Sequence, residues 1–397
     1  MLTALAVGCS KELPTVNENA WIYDESLPVP IQFGSLSSEM VTKATVGNLA
    51  ALSGQPIGVF AWGESSNDSS NDSMETSAKS IFPTTGYKRA EVSENKLVFK
   101  EQGAEEAKKV YYPMSSKYNY SFYAYYIGEE ENLAGTYGND KNSYFVNVDF
   151  SDPFTDILWG KCSDSDLPYT DNESLPEEER TLSHLLYKDN EIKGFNSRFS
   201  RAAAKAGKST DYLPSIEFQH ICSAFSFYAK ADNDASMTEV KLAELNDHLK
   251  IKSVKITNVP TSAKLVVASK EAAKQGVFDT SATGDVSMNV YDNFSIQKVE
   301  DGVILSTAQT GGEDTFFLPP GDYSESQAIL QCTLDENEFD LPFALKYTKD
   351  DAESTQFEAG KSYSFVVIFK TLEVIQMLVE LNEWESGAKT DVDIDDL

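Results

Sequence analysis

Histidine, cysteine and positive charge are all scarce in this 397-residue sequence, and each scarcity removes a class of function. Three histidines, His184, His220 and His248, leave little material for a histidine-based metal or acid–base site. Four cysteines, Cys9, Cys162, Cys222 and Cys332, show neither metal-ligand spacing nor a disulfide-dense framework. Lys and Arg number 33 against 63 Asp and Glu, giving a net charge of -30 and a pI near 4.4. A field of that sign repels phosphate backbones and anionic headgroups, which argues against nucleic acid and against electrostatic binding to membrane surfaces. No run approaches the ~20 apolar residues of a membrane span. Gly311-Gly312 and Gly360-Lys361-Ser362 lack the rest of a phosphate loop and read as turns.

What is present is strand-forming material. Hydrophobic residues make up 41% and aromatics 11%, with 22 Phe and 19 Tyr, too much for a disordered acidic chain. The excess charge therefore belongs to the surface of something folded. Tyr118, Tyr120, Phe122 and Tyr126 alternate along one strand, and Val146, Val148 and Phe150 along another, with the period of two of a half-buried strand. Ile57–Trp62, Val254–Ile256, Leu265–Val267, Phe316–Leu318, Ala328–Leu334 and Leu341–Tyr347 continue the series. Between Phe218 and Phe225 the apolar phase moves from even to odd numbers, as a bulge or a change of sheet would cause. Tyr363–Phe369 is apolar on both faces toward its end, and β-branched residues favour a strand over a helix for 374–384. Pro176 near the start of Pro176–Arg180 marks a short helix, and Ala202–Lys208 adds a turn of another.

Many short strands at roughly ten-residue spacing, with two compositional restarts, predict an all-β chain of two β-sandwich domains in tandem. The boundaries expected are a signal remnant over 1–9, a tether over 10–28, an N-terminal sandwich over 29–165, an acidic linker or excursion over 166–212 and a C-terminal sandwich over 213–397. The first eight residues are apolar and small and end in Ala6-Val7-Gly8 before Cys9, with polar Ser10-Lys11-Glu12 following. This resembles the end of a bacterial lipoprotein signal, with Cys9 as the lipidated residue. The apolar stretch is short for a signal core, which places the true start upstream of Met1.

Several patches, in order, resemble the Bacteroidetes fimbrillin-like (Mfa-like) family. They are Ile31-Gln32-Phe33 followed by Thr42-Lys43-Ala44, Ile57–Phe60, Tyr111-Tyr112-Pro113 leading to Tyr118–Tyr126, and Asp156–Gly160. Phe218–His220, Ala224–Phe227, Phe357–Tyr363 and Trp384 complete them. The resemblance implies two transthyretin-like sandwiches with Greek-key-type connections, export as an outer-membrane lipoprotein, and assembly into type V pili at the cell surface. It also implies a trypsin-like protease that removes an N-terminal strand, after which other pilin subunits fill the groove by β-augmentation. On this sequence the displaced strand is Ile31-Gln32-Phe33-Gly34 and the cleavage lies at Lys43-Ala44, with Lys88-Arg89-Ala90 as an alternative basic site.

The resemblance implies a fimbrial tip, anchor or stalk subunit that mediates cell adhesion without cofactor, metal or catalysis. The alternative is a non-polymerising surface lipoprotein adhesin that binds a glycan or a host or bacterial surface protein through its loops. Polar Glu385–Leu397 is a poor donor strand and favours a tip, anchor or adhesin over a stalk. Asp68, Asp72 and the Asp391–Asp396 run lack the glycine and ligand spacing of a calcium loop. His220, between apolar neighbours, reads as a hydrogen-bonded core residue, and Cys162, Cys222 and Cys332 as buried small hydrophobes. Cys9→Ala is expected to abolish acyl labelling and release the protein from membranes; labelling that survives the substitution would refute lipidation there.

Overall fold

The computed structural model describes residues 19–38, 52–65, 74, 79–82, 86–114, 118–128, 130–139, 141–162, 173–174, 176–186, 194–208, 212–234, 236–335, 337–349, 352–371 and 374–383. Cys9, Lys43, Ala44, Asp68, Asp72, Trp384 and the terminal acidic run lie outside them.

The fold is all-β, with three short α-helices among the described residues: α1 (Glu177–Leu186), α2 (Ser197–Lys205) and α3 (Glu239–His248). A first sheet of seven strands contains Ile57–Glu64, paired antiparallel with Asn119–Tyr126 on one side and Lys88–Ser93 on the other. Lys96–Phe99 extends one flank; Leu158–Cys162, Glu217–His220 and the two-residue strand Ser37–Ser38 extend the other. Both faces of this sheet are buried. Ile57, Val59, Ala61, Tyr120, Phe122 and Ala124 join an outer core under α1 and α2, while Phe60, Trp62, Tyr123 and Tyr125 face a middle core. The period of two is therefore present but both phases are apolar, because layers cover the sheet on each side.

The segment read as an acidic excursion supplies part of that cover. Leu182 and Leu186 of α1, Phe195, and Phe199 and Ala203 of α2 are buried in the outer core. Asn196 caps α2 by accepting from Phe199 N at 2.9 Å, and its side-chain amide donates to buried Asn119 Oδ1 at 2.7 Å. The helices form where an apolar stripe can dock on the sheet, a tertiary gain that composition does not announce.

A second sheet is organised by one strand of 21 residues, Leu249–Ser269. Its first half pairs with Gln327–Leu334 and its second half with Ser143–Asp149, while Val277–Asn289 runs along its other edge. Val254, Ile256 and Val259 face a distal core, and Ala263, Leu265 and Val267 the middle core. The two short strands read at Val254–Ile256 and Leu265–Val267 are one. Pro260, which cannot donate to a ladder, sits at a register shift between the two halves.

The third sheet covers the distal core. Ser223–Ala231 pairs parallel with Lys361–Thr371, from Ala224↔Ser362 to Ala231↔Phe369, and antiparallel with Thr315–Leu318. Val374–Glu383 is a strand and pairs with Lys361–Thr371. Aromatic rings fill the space beneath: Phe225 lies 4.8 Å from Phe357, Phe357 4.6 Å from Tyr363, and Phe227 5.2 Å from Phe365. The phase change after Phe218 is a change of sheet, since Glu217–His220 belongs to the first sheet and Ser223–Ala231 to the third. The stretch from 213 on therefore begins by completing the first sheet. Phe225→Ala is expected to cost about 3–5 kcal/mol in denaturant titrations, against less than about 0.5 kcal/mol for exposed Val240→Ala.

Candidate functional site

The N-terminal segment lies in a groove of the outer core, and period-two alternation puts its apolar residues there. Val29, Ile31, Phe33 and Leu36 are buried, whereas Gln32 and Ser35 are exposed. The Phe33 ring sits 5.6 Å from Phe99 and 5.3 Å from Phe122, so it fills the groove floor between two strands of the first sheet.

Backbone hydrogen bonds hold the segment on several sides. Ile31 N donates to Val110 O at 2.8 Å and Tyr112 N to Val29 O at 2.9 Å. Gly34 N donates to Pro214 O, and Leu36 N to Asn95 O, both at 2.9 Å. Ser35 bridges Lys96, while Ser37 and Ser38 pair parallel with Glu217 and Phe218. Residues 35–38 thus touch strands at both edges of the first sheet. A Cβ on Gly34 would come within 2.5 Å of Ser215 Oγ, so a larger residue there would make the Ser215 hydroxyl turn away.

Ile31-Gln32-Phe33-Gly34 is not a regular strand. Pro30 and Pro214 flank the contact and have no N–H to give, so single bonds replace a continuous ladder. The apolar plug also extends beyond the predicted residues, to Val29 on the same alternation and to Leu36, which falls out of its phase. Before the plug, Trp21 is only 9% exposed and belongs to the outer core, so the part of the tether from residue 19 is packed. Its signal was the short apolar cluster Trp21-Ile22-Tyr23 in polar sequence.

The alternative basic site is built into the sheet. Lys88–Ser93 is a strand paired on both sides, and Arg89 contacts Glu91 at 2.9 Å and Glu130 at 2.7 Å and donates to Lys100 O. Cleavage there requires opening the sheet, which disfavours Lys88-Arg89-Ala90.

His220 lies with its Nδ1 2.5 Å from Oδ2 of fully buried Asp156, whose other oxygen has no hydrogen-bond partner. Burial pushes the Asp156 carboxyl above its usual range, partly offset by His220. Cys162, Cys222 and Cys332 are buried and form no disulfide among the described residues; burial pushes the Cys332 thiol up to about 12 and Cys222 well above its ordinary value. Such thiols do not serve as nucleophiles. Among the described residues no three His, Cys, Asp or Glu gather in a way that could hold a metal.

No protein-family model matches the chain, and no curated protein matches it. Its solved structural neighbours are bacterial adhesion and fimbrial proteins. One is a candidate cell adhesion protein from Bacteroides uniformis, 14% identical with a TM-score of 0.46, covering 91% of this chain and 100% of that one. A fimbrial assembly protein from Parabacteroides distasonis is 10% identical, TM-score 0.43, covering 92% and 99%. The tip fimbrial protein Mfa3 from Porphyromonas gingivalis, C-terminally truncated, is 9% identical, TM-score 0.35, covering 90% and 100%. Scores and identities of this size assign no function to the chain.

The raised Asp156 value fixes a sign. A carboxyl whose folded value lies above its unfolded one adds stability at acid pH that is lost as pH rises through the folded value. Asp156→Asn, which carries no charge, should flatten this loss in denaturation measured across the acid-to-neutral range. A pH profile unchanged from wild type would refute it.

Proposed function

We propose that this chain is a cell-surface adhesion protein of the fimbrillin-like kind, a fimbrial subunit whose N-terminal segment is displaced by a strand from another subunit. The observation that carries this reading is the plug of Val29, Ile31, Phe33 and Leu36, an apolar segment seated by a few separable hydrogen bonds between the first sheet and residues 110–112 and 213–218. Such a segment can leave without unravelling a continuous ladder. Its departure exposes an apolar floor, including Phe99 and Phe122, beside unpaired backbone at Val110, Pro214 and Glu217. A groove of that kind recruits a replacement strand, through main-chain bonds and alternate side chains.

The same proposal includes lipidation at Cys9, processing by a trypsin-like protease at Lys43-Ala44, an outer-membrane location, a host or bacterial surface ligand, and division of the chain into two transthyretin-like sandwiches. The work done is binding, without a bond made or broken by the chain itself. Lys43 lies in polar sequence after the plug, where a cut leaves the segment bound only noncovalently.

Lys43→Ala is expected to block processing and keep the protein monomeric. Burial of Ile31 and Phe33 contributes about 1.5–3 kcal/mol each, so Ile31→Asp with Phe33→Asp should empty the groove and promote association, read by light scattering. A double variant as stable and monomeric as wild type would make the segment a tether and favour the non-polymerising adhesin.

A further inference from the structure

The N-terminal segment is fastened at a second place, ahead of the plug. Arg201, on α2, donates through Nη1 to the carbonyl oxygens of Trp21 and Asp24, the latter at 2.6 Å, and through Nη2 to that of Leu27 at 2.9 Å. The carbonyls are spaced three residues apart and belong to two successive turns, the 3-10 turn Ala20–Ile22 and the turn closed by Leu27 N to Asp24 O at 3.2 Å. Asp24 O thus takes both the Leu27 N–H and the guanidinium, and the planar fork can meet several such turn carbonyls at once. An ammonium is a point charge on a flexible stem and lacks that geometry.

The surroundings match. Residues 197–208 hold Arg198, Arg201, Lys205 and Lys208 with no acid, inside a chain of net charge -30. Asp24 and Glu25 lie on the segment opposite, and Lys205 Nζ is 3.8 Å from Glu25. Trp21 is buried against α2, where Ser200 and Ala203 line a small pocket with it.

We propose that α2 is a peptide-binding site whose resident ligand is this chain's own residues 19–27, and that Arg201 is the latch that sets how long the segment stays once the chain beyond it has been cut. Residues 19–38 then have two ends from which to fray. The end at Ser37–Ser38 adjoins the buried plug; the other is closed by the latch. An incoming strand gains access as the ends open, so the latch governs the rate of exchange rather than the affinity of the groove alone. The biological use of this device rests on the proposed displacement of the segment, but the latch itself does not.

The test uses the full chain with the recognition sequence of a specific protease inserted between residues 39 and 51, cleavage being verified by mass spectrometry. Release of the N-terminal fragment is followed by size exclusion and by fluorescence of a label placed on it. The wild-type fragment should remain bound, and Arg201→Ala should release it about tenfold faster or more, since hydrogen bonds to a charged group are lost. Arg201→Lys keeps the charge without the fork and should also release it faster. Uncut variants with near-wild-type melting show that the fold is intact; should Arg201→Ala fail to fold, Arg201→Lys decides. Equal release from wild type and both variants, full retention by Arg201→Lys, or immediate loss from the wild type would each overturn the latch. Because the cut is engineered, absence of natural processing at Lys43 would refute the fimbrial reading and leave this outcome unaffected.

Discussion

Over 21 residues the backbone of Leu249–Ser269 must place every N–H and C=O, and the way it does so arranges the rest of the molecule. It takes Gln327–Leu334 for its first half, Ser143–Asp149 for its second and Val277–Asn289 along the opposite edge. A strand shared in this way belongs to two cores at once. Phe225, Phe227 and Phe365 gather beneath one half, and Phe60, Tyr144 and Val146 beneath the other. The ladder to Val277–Asn289 shifts register at Pro260, between the stretches that pair with Gln327–Leu334 and with Ser143–Asp149 on the opposite edge.

Much of this was legible in the residues. Alternation located Asn119–Tyr126 and Ser143–Asp149, and the shift of phase between Phe218 and Phe225 marked the passage from one sheet to another. Sequence periodicity could not show that Val254–Ile256 and Leu265–Val267 are one strand, because Asn258 and Pro260 interrupt the apolar pattern where the partners change. Nor could it place α1 and α2 on the core. Leu182, Leu186 and Phe199 are buried by a surface that Ile57–Glu64 and Asn119–Tyr126 create from far away in sequence.

At the groove the same division holds. Ile31 and Phe33 were recognisable from their spacing, and Pro30, which interrupts the ladder, is a local feature. The partners Val110, Pro214 and Asn95 are not, since each comes from a distant part of the chain. Arg201 was equally hidden. A cation in an Ala-rich helix looks like an exposed residue until the fold brings Trp21, Asp24 and Leu27 to it.

Each of the three cores contains one buried cysteine among the described residues: Cys162 in the outer, Cys222 in the middle and Cys332 in the distal. None can ionise readily where burial holds the proton on sulfur, as at Cys222 and Cys332, and none is reachable by a reagent while its core is closed. Modification therefore has to wait for opening, and the rate at each position measures the opening of that core. The native sequence thus carries three internal clocks. Synchronous labelling would mark a molecule that opens as a unit, and staggered labelling would order its cores by local free energy.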